Sequence, residues 1–278
     1  MTGVSRPGAP RPVTPMSILA AELEQLADAL DAVPGLDEGW RERLRGACAL
    51  AGGLDPYVSR CTSPESPALR GLAEATAAED WRRHGDGPAP APLEQEMLSG
   101  HVEGRLLRML VQVTRARRVL DIGMFTGYSA LAMAEALPAD ATVVACEIDP
   151  DVAAFAQERF AASADGHKID VRVGPAERTL AELAAGGAAF DLVFLDADKA
   201  GYVAYFTTLL DTGLLAPHGL LCVDNTLMQG QPYLPGSPTA NGKAVAEFND
   251  VVAADPRVEQ VLLPVRDGLT LIRRVGAP

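Results

Sequence analysis

From Ser17 the apolar residues Ile18, Leu19, Leu23, Leu26, Ala27 and Leu30 recur every three to four positions, the interval of an amphipathic helix. Val33-Pro34-Gly35 interrupts them, and a second helical stretch runs from Asp37 to Leu50, so the pair reads as a helical hairpin. Gly52-Gly53 and Ser63-Pro64-Glu65-Ser66-Pro67 punctuate the next region. A helix is expected from Pro67 to Trp81, because proline suits a first turn and Ala, Leu and Glu dominate after it. His84 to Pro92, rich in Gly, Pro and Ala, reads as a linker, and Glu94 to Thr114 as one helix with a point of interruption at Ser99-Gly100.

From Arg117 onward the rhythm alternates between strand and helix. Strands are predicted at 118–122, 142–148, 169–173, 190–196, 219–224, 258–265 and 269–274, with helices at 128–137, 150–162, 176–185, 200–211 and 242–254. Leu192-Val193-Phe194-Leu195 is apolar without alternation, as a central parallel strand covered on both faces should be. Arg266-Asp267-Gly268 is a turn signal that closes the sheet with an antiparallel hairpin. The expected layout is a flexible proline-rich tail over 1–15, an N-terminal helical extension and linker over 16–92, and an α/β domain over 93–278. The hairpin at 17–50 would dimerise the protein, cap the active site or pack on the sheet, and its stripe alone does not choose.

At 278 residues with 48% apolar side chains the chain can bury a large core. Its 37 acidic against 24 basic residues, a net charge of −13, disfavour nucleic acid as a partner. There is no run of about eighteen apolar residues and no apolar leader, so no membrane span or export is expected. Cys48, Cys61, Cys146 and Cys222 form no C-x-x-C pair, which suits a reduced, cytoplasmic protein.

The chemistry gathers at predicted strand ends, where a parallel sheet builds its site. Asp121-Ile122-Gly123-Met124-Phe125-Thr126-Gly127-Tyr128-Ser129 follows the first strand. Its two glycines let backbone approach a ligand, and Asp121 can accept from an ammonium group. Phe125 stands where the dinucleotide fingerprint has a glycine, so a nucleotide-like ligand without a diphosphate fits better. Glu147, 24 residues after Gly123, is positioned either to take both ribose hydroxyls or to lie solvated at a strand end. Asp196 and Asp224 end neighbouring strands, and Asn225 adds a neutral oxygen. That all-oxygen set suits a hard divalent cation, although Asp196 alone could equally cap a helix. None of His84, His101, His167 or His218 clusters with it.

The chain from about Leu54 to Arg274 resembles the cation-dependent O-methyltransferases of the caffeoyl-CoA and catechol type. The likeness lies in Leu120 to Ser129, Asp196-Ala197-Asp198-Lys199, Asp224-Asn225 and Arg266-Asp267-Gly268-Leu269-Thr270. It implies a class I methyltransferase (Rossmann-like) fold: an α/β, seven-stranded, mostly parallel sheet with helices on both faces and an antiparallel terminal hairpin, preceded by an N-terminal helical extension. By the same resemblance Asp121, Gly123 and Ser129 line the methionine end of S-adenosylmethionine, Met124 is a further cofactor-binding residue, Glu147 holds the ribose, Ala176 and Asp198 the adenosine, and Ser99 forms a helix-borne wall. Asp196, Asp224 and Asn225 become ligands of Mg²⁺, or of Mn²⁺ or Ca²⁺. Lys199, otherwise a solvated lysine at a helix start, is implied to accept or stabilise the phenolic proton. The segment before Leu54 and the loop from Leu227 to Asn241 depart from the family; that loop is expected to wall an aromatic pocket.

The function so implied is cation-dependent O-methylation of a catechol-like small phenol by a homodimer, with a caffeoyl-CoA thioester as the narrower alternative. The polyanionic tail of a CoA ester would want a basic entrance, and this chain is acidic overall. Two other classes compete. A nicotinamide oxidoreductase would need a tighter phosphate loop, and a non-catalytic binding protein would have no use for the intact candidates at every site position.

Overall fold

The computed structural model describes residues 11–84, 87–88 and 92–276. Residues 1–10 of the expected tail and 85, 86 and 89–91 of the expected linker lie outside them. Thr14 caps the first helix, α1 (Pro15–Asp31), by accepting from Ser17 N, and Pro15 occupies its first turn. α2 (Glu38–Cys61) passes straight through Gly52-Gly53 and Pro56, which the local pattern reads as punctuation. Tertiary contacts override those weak residues: α2 packs along α1, and its last turns meet the next long helix through Ser59 Oγ, 3.2 Å from His101 Nδ1. α3 (Pro67–Ala78) stops short of Trp81, which begins a separate 3-10 turn over 81–84. The single helix expected over 94–114 is a 3-10 turn at 95–97 followed by α4 (Gly100–Thr114), broken at Ser99-Gly100, where Gly100 takes φ +73°.

The sheet comprises β1 (Arg118–Ile122), β2 (Thr142–Glu147), β3 (Ile169–Val173), β4 (Phe190–Leu195), β5 (Leu215–Val223), β6 (Val258–Leu263) and β7 (Leu269–Arg274), ordered β3-β2-β1-β4-β5-β7-β6. The first five are parallel, and β7 runs antiparallel between β5 and β6, as the turn at Arg266-Asp267-Gly268 predicts. β5 starts four residues earlier than its apolar run suggests, because Leu215 pairs with Phe190 across a register shift. α5 (Tyr128–Ala134), α6 (Pro150–Ala161), α7 (Ala176–Ala185), α8 (Tyr202–Asp211) and α9 (Ala240–Ala254) make the crossovers. Strand order reverses between β1 and β4, where such sheets bind ligands.

Two cores lie on opposite faces. Leu107, Val111, Val119, Leu131, Phe160, Phe194 and Cys222 fill the α4–α5–α6 side. Leu120, Ile122, Val193, Leu195, Tyr202, Phe206, Leu221, Val223 and Phe248 fill the α7–α8–α9 side. Alternation along a strand then fixes the site. Asp121 falls with Val119, Asp196 continues the phase of Phe194, and Asp224 that of Cys222, so all three carboxylates share the face covered by α4. Among the described residues no helix is long and apolar enough to cross a membrane.

Candidate active site

The turn after β1 is held from three directions. Gly123 takes φ +90°, and a Cβ there would lie 2.5 Å from the Asp196 carbonyl oxygen. Its lack of a side chain therefore serves the crossing of the β1 and β4 loops, in addition to any ligand. Gly127, at φ +89°, would likewise drive a Cβ into the Phe160 ring. Phe125, at φ +50°, turns its ring onto Trp81, 4.8 Å between centroids, and Thr76 Oγ1 bonds Thr126 Oγ1 at 3.0 Å. The N-terminal extension thus packs directly on this turn.

Asp121 is fully buried. Ser129 Oγ donates to its Oδ2 at 2.7 Å, while Oδ1 has no partner. Burial raises its pKa to about 7 against the lowering effect of Ser129, and the Asp196 charge adds to the rise. Glu147 is also buried; Oε2 accepts from Phe125 N at 2.9 Å and Oε1 from Asp149 N at 3.0 Å. Desolvation lifts it to about 7 even so. Each of its oxygens keeps a lone pair free for a hydroxyl donor. Met124 packs into the core, and its backbone N–H bonds the Cys146 carbonyl at 3.0 Å.

The other expected cofactor residues are more scattered. Ala176 opens α7, half-buried, beyond a loop tied to the Glu147 carbonyl by Gly174 N at 2.8 Å. Asp198 spends its carboxylate on Gly201 N (2.9 Å) and Tyr205 OH (2.8 Å). Ser99 is buried, and its carbonyl accepts from Arg266 Nη1.

One strand over, Asp196 and Asp224 meet at the ends of β4 and β5. Lys199 Nζ lies 2.7 Å from Asp196 Oδ1 and 2.7 Å from the Tyr202 hydroxyl, which itself donates to the Asp224 carbonyl at 3.0 Å. Burial pulls the Lys199 pKa down, but Asp196, Tyr202 and Asp224 outweigh it and hold the ammonium well above its ordinary value. Asp224 rises to about 7, from burial first and then from repulsion by Asp196. Asn225 sits at φ +57°, with its N–H on Asp224 Oδ1 at 2.6 Å. Among the described residues no three His, Cys, Asp or Glu side chains converge tightly enough to hold an ion by themselves. Asp196 and Asp224 stand at adjacent strand ends, and Asn225 follows Asp224 directly.

Tyr202 and Glu103 escape a reading of motifs, and Arg266 and Asp267 are read from the sequence only as part of a turn motif. Tyr202 bridges Lys199 and Asp224. Asp267 fixes the loop after Asn225 by accepting from Gln229 N at 2.6 Å. Glu103 and Arg266 face the cluster from α4 and the hairpin turn, with Arg266 Nε 3.6 Å from Glu103 Oε2. Glu103 was detectable: it lies one turn before Leu107 and two before Val111, a charge inside an apolar stripe.

The O-methyltransferase family model matches residues 86–275. Caffeoyl-CoA O-methyltransferase of Petroselinum crispum is 36% identical over 221 residues, covering 76% of this chain and 86% of that protein. Among solved structures, the S-adenosylhomocysteine-bound methyltransferase of Podospora anserina superposes with TM-score 0.69 at 30% identity, over 81% of this chain and 95% of that one. An O-methyltransferase of Streptomyces achromogenes involved in tomaymycin synthesis, in complex with S-adenosylmethionine, gives 0.64 at 32% identity, over 81% and 96%.

Proposed function

The chain belongs to the O-methyltransferase family and is an S-adenosylmethionine-dependent O-methyltransferase; from that premise we propose that it methylates one hydroxyl of a catechol-like small aromatic with the help of a divalent cation. The observation that carries the reading is the meeting of Asp196, Asp224 and Asn225 at two adjacent strand ends beside the Asp121–Ser129 turn. The donor set fits a hard cation: all its atoms are oxygen, and the repulsion between Asp196 and Asp224 is only partly offset by Lys199 and Arg266. When bound there, the cation supplies electrostatic stabilisation of an ionised hydroxyl and a template for two vicinal oxygens.

The remaining steps belong to the chain's own groups. Asp121, with one oxygen lacking a donor, takes the ammonium of the methionine end, and Glu147 takes the ribose hydroxyls. Lys199, held as an ammonium between Asp196 and Tyr202, lends positive charge to the phenolate oxygen. That oxygen attacks the methyl carbon in line with the carbon–sulfur bond; the bond's electrons stay on sulfur and the phenolic proton leaves to solvent. Holding the two reactants in line is worth on the order of 7 kcal/mol where geometry is ideal.

Product mapping with S-adenosylmethionine, Mg²⁺ and a panel of vicinal diphenols, monophenols and caffeoyl-CoA tests the reading. Vicinal diphenols are expected to be methylated and monophenols spared. Turnover of caffeoyl-CoA far above every free diphenol would favour the second reading, a thioester substrate, which the names of the plant relatives support. Chelation should abolish turnover and Mg²⁺ or Mn²⁺ restore it. Asp224→Ala should lower kcat/KM by ~100-fold or more, the several kcal/mol such a site supplies. Full activity in exhaustively demetallated protein would sink the cation.

A further inference from the structure

Glu103 is 1% exposed, and neither of its carboxylate oxygens has a hydrogen-bond partner. No donor reaches it except the Arg266 guanidinium, an ion pair without a hydrogen bond; the Asp224 carboxyl lies close enough to share a proton with it, and the Asp196 carboxylate repels it from farther off. A buried carboxylate lacking donors is costly, and an ion pair offsets its charge without satisfying its lone pairs. The arrangement is nonetheless built. Arg266 is a non-glycine residue held at φ +51°. Gly100 clears room for its guanidinium, since a Cβ there would lie 2.6 Å from Nη1. Arg266 also donates to the Ser99 carbonyl. What the pair lacks is a donor on the side of Asp224.

We infer that Glu103 is the outer acceptor of the cation site: its carboxylate takes hydrogen bonds from water on a divalent cation held by Asp196, Asp224 and Asn225, while Arg266 offsets part of its charge. Its place is in the outer shell: among the described residues Glu103, Asp196 and Asp224 do not form a group of three carboxylates close enough to hold an ion. Mg²⁺ keeps several of its waters when bound by protein, and those waters are strong donors.

The inference rests on the proposed cation site, and a binding measurement separates the two. Mn²⁺ is titrated by electron paramagnetic resonance into the full chain, wild type and Glu103→Gln, without S-adenosylmethionine or phenol, alongside thermal melting. Glu103→Gln should bind Mn²⁺ roughly 10- to 100-fold more weakly. Its cation-free melting temperature should equal or exceed that of wild type, because a buried charge without donors is gone. Glu103→Asp should recover part of the affinity. Arg266→Gly, which suits the positive φ and leaves Glu103 in place, should bind Mn²⁺ at least as tightly as wild type, and it stands as the test if Glu103→Gln does not fold. Unchanged Mn²⁺ affinity in Glu103→Gln, with or without a loss of stability, overturns the inference, as does weakened binding in Arg266→Gly. Absence of Mn²⁺ binding to wild type overturns the cation reading and this inference with it.

Discussion

Asp121, next to last in β1, has one oxygen on Ser129 and the other bare, and its pKa near 7 makes the free protein's charge at this point depend on ordinary buffer pH. Because the folded value is raised from 3.8, the group's contribution to stability is fully present below about 4 and is lost as pH rises to about 7. Binding runs the other way. On the proposed contact the methionine ammonium needs the ionised carboxylate, so S-adenosylmethionine affinity should fall about tenfold per pH unit below pH ~7 and fall again above ~8, where an α-amino group loses its own proton. Asp121→Asn should bind weakly at every pH, with that slope gone; calorimetric titration between pH 5.5 and 8.5 reads both. Gly123→Ala should cost at least ~1–3 kcal/mol of stability from its left-handed backbone alone, and more from the contact with the Asp196 carbonyl, a loss that chemical denaturation measures. Asp121, Glu147, Asp196 and Asp224 were legible in the sequence because each is a carboxylate at the end of an apolar run. The part played here by Tyr202, Arg266, Asp267 and Glu103 was not, although Glu103 breaks an apolar stripe and Arg266-Asp267 marks a turn, since it depends on which helix or turn lies over which strand.

Among the elements, the seven strands and their crossover helices were legible because strand and helix periods differ and the connections are short. The helices ahead of them were less so, because Gly52-Gly53 and Pro56 weaken α2 locally while α1 and α4 support it from a distance. α1 reaches the 3-10 turn Met228–Gly230, which lies just beyond Asn225. The loop's apolar tip is different: Tyr233 and Leu234 are 60% and 58% exposed, so the pocket wall expected of them would require a bound ring. Replacing both by alanine should raise the phenol KM about tenfold, the scale of losing an apolar contact in a pocket, and leave S-adenosylmethionine affinity within twofold. Removing residues 1–61, a cut at the end of α2, should do the same or change the site of methylation. Unaltered kinetics and regiochemistry in the loop variant would mean that the phenol is recognised elsewhere.

On the scale of the whole molecule, the α1–α2 hairpin carries Leu19, Leu26, Trp40, Leu50, Leu54 and Tyr57 at 42% to 80% exposure, more large apolar surface than a helix pair needs to pack on its own sheet. A homodimer is the expected assembly, and light scattering should return twice the chain mass for the full protein and a single chain mass without residues 1–61. A monomer at micromolar concentration would refute it. The close approach of Gly123 to the Asp196 carbonyl also bears on how the enzyme comes into being. β1 and β4 are neighbours in the sheet yet lie more than seventy residues apart in the chain, and parallel pairs with such separation form slowly. On the ribosome the turn after β1 is therefore expected to meet Asp196 only after β4 has emerged, and Asp224 must still join them. In refolding from denaturant, helical signal should return first, and methyl transfer should reappear only with the slowest structural phase.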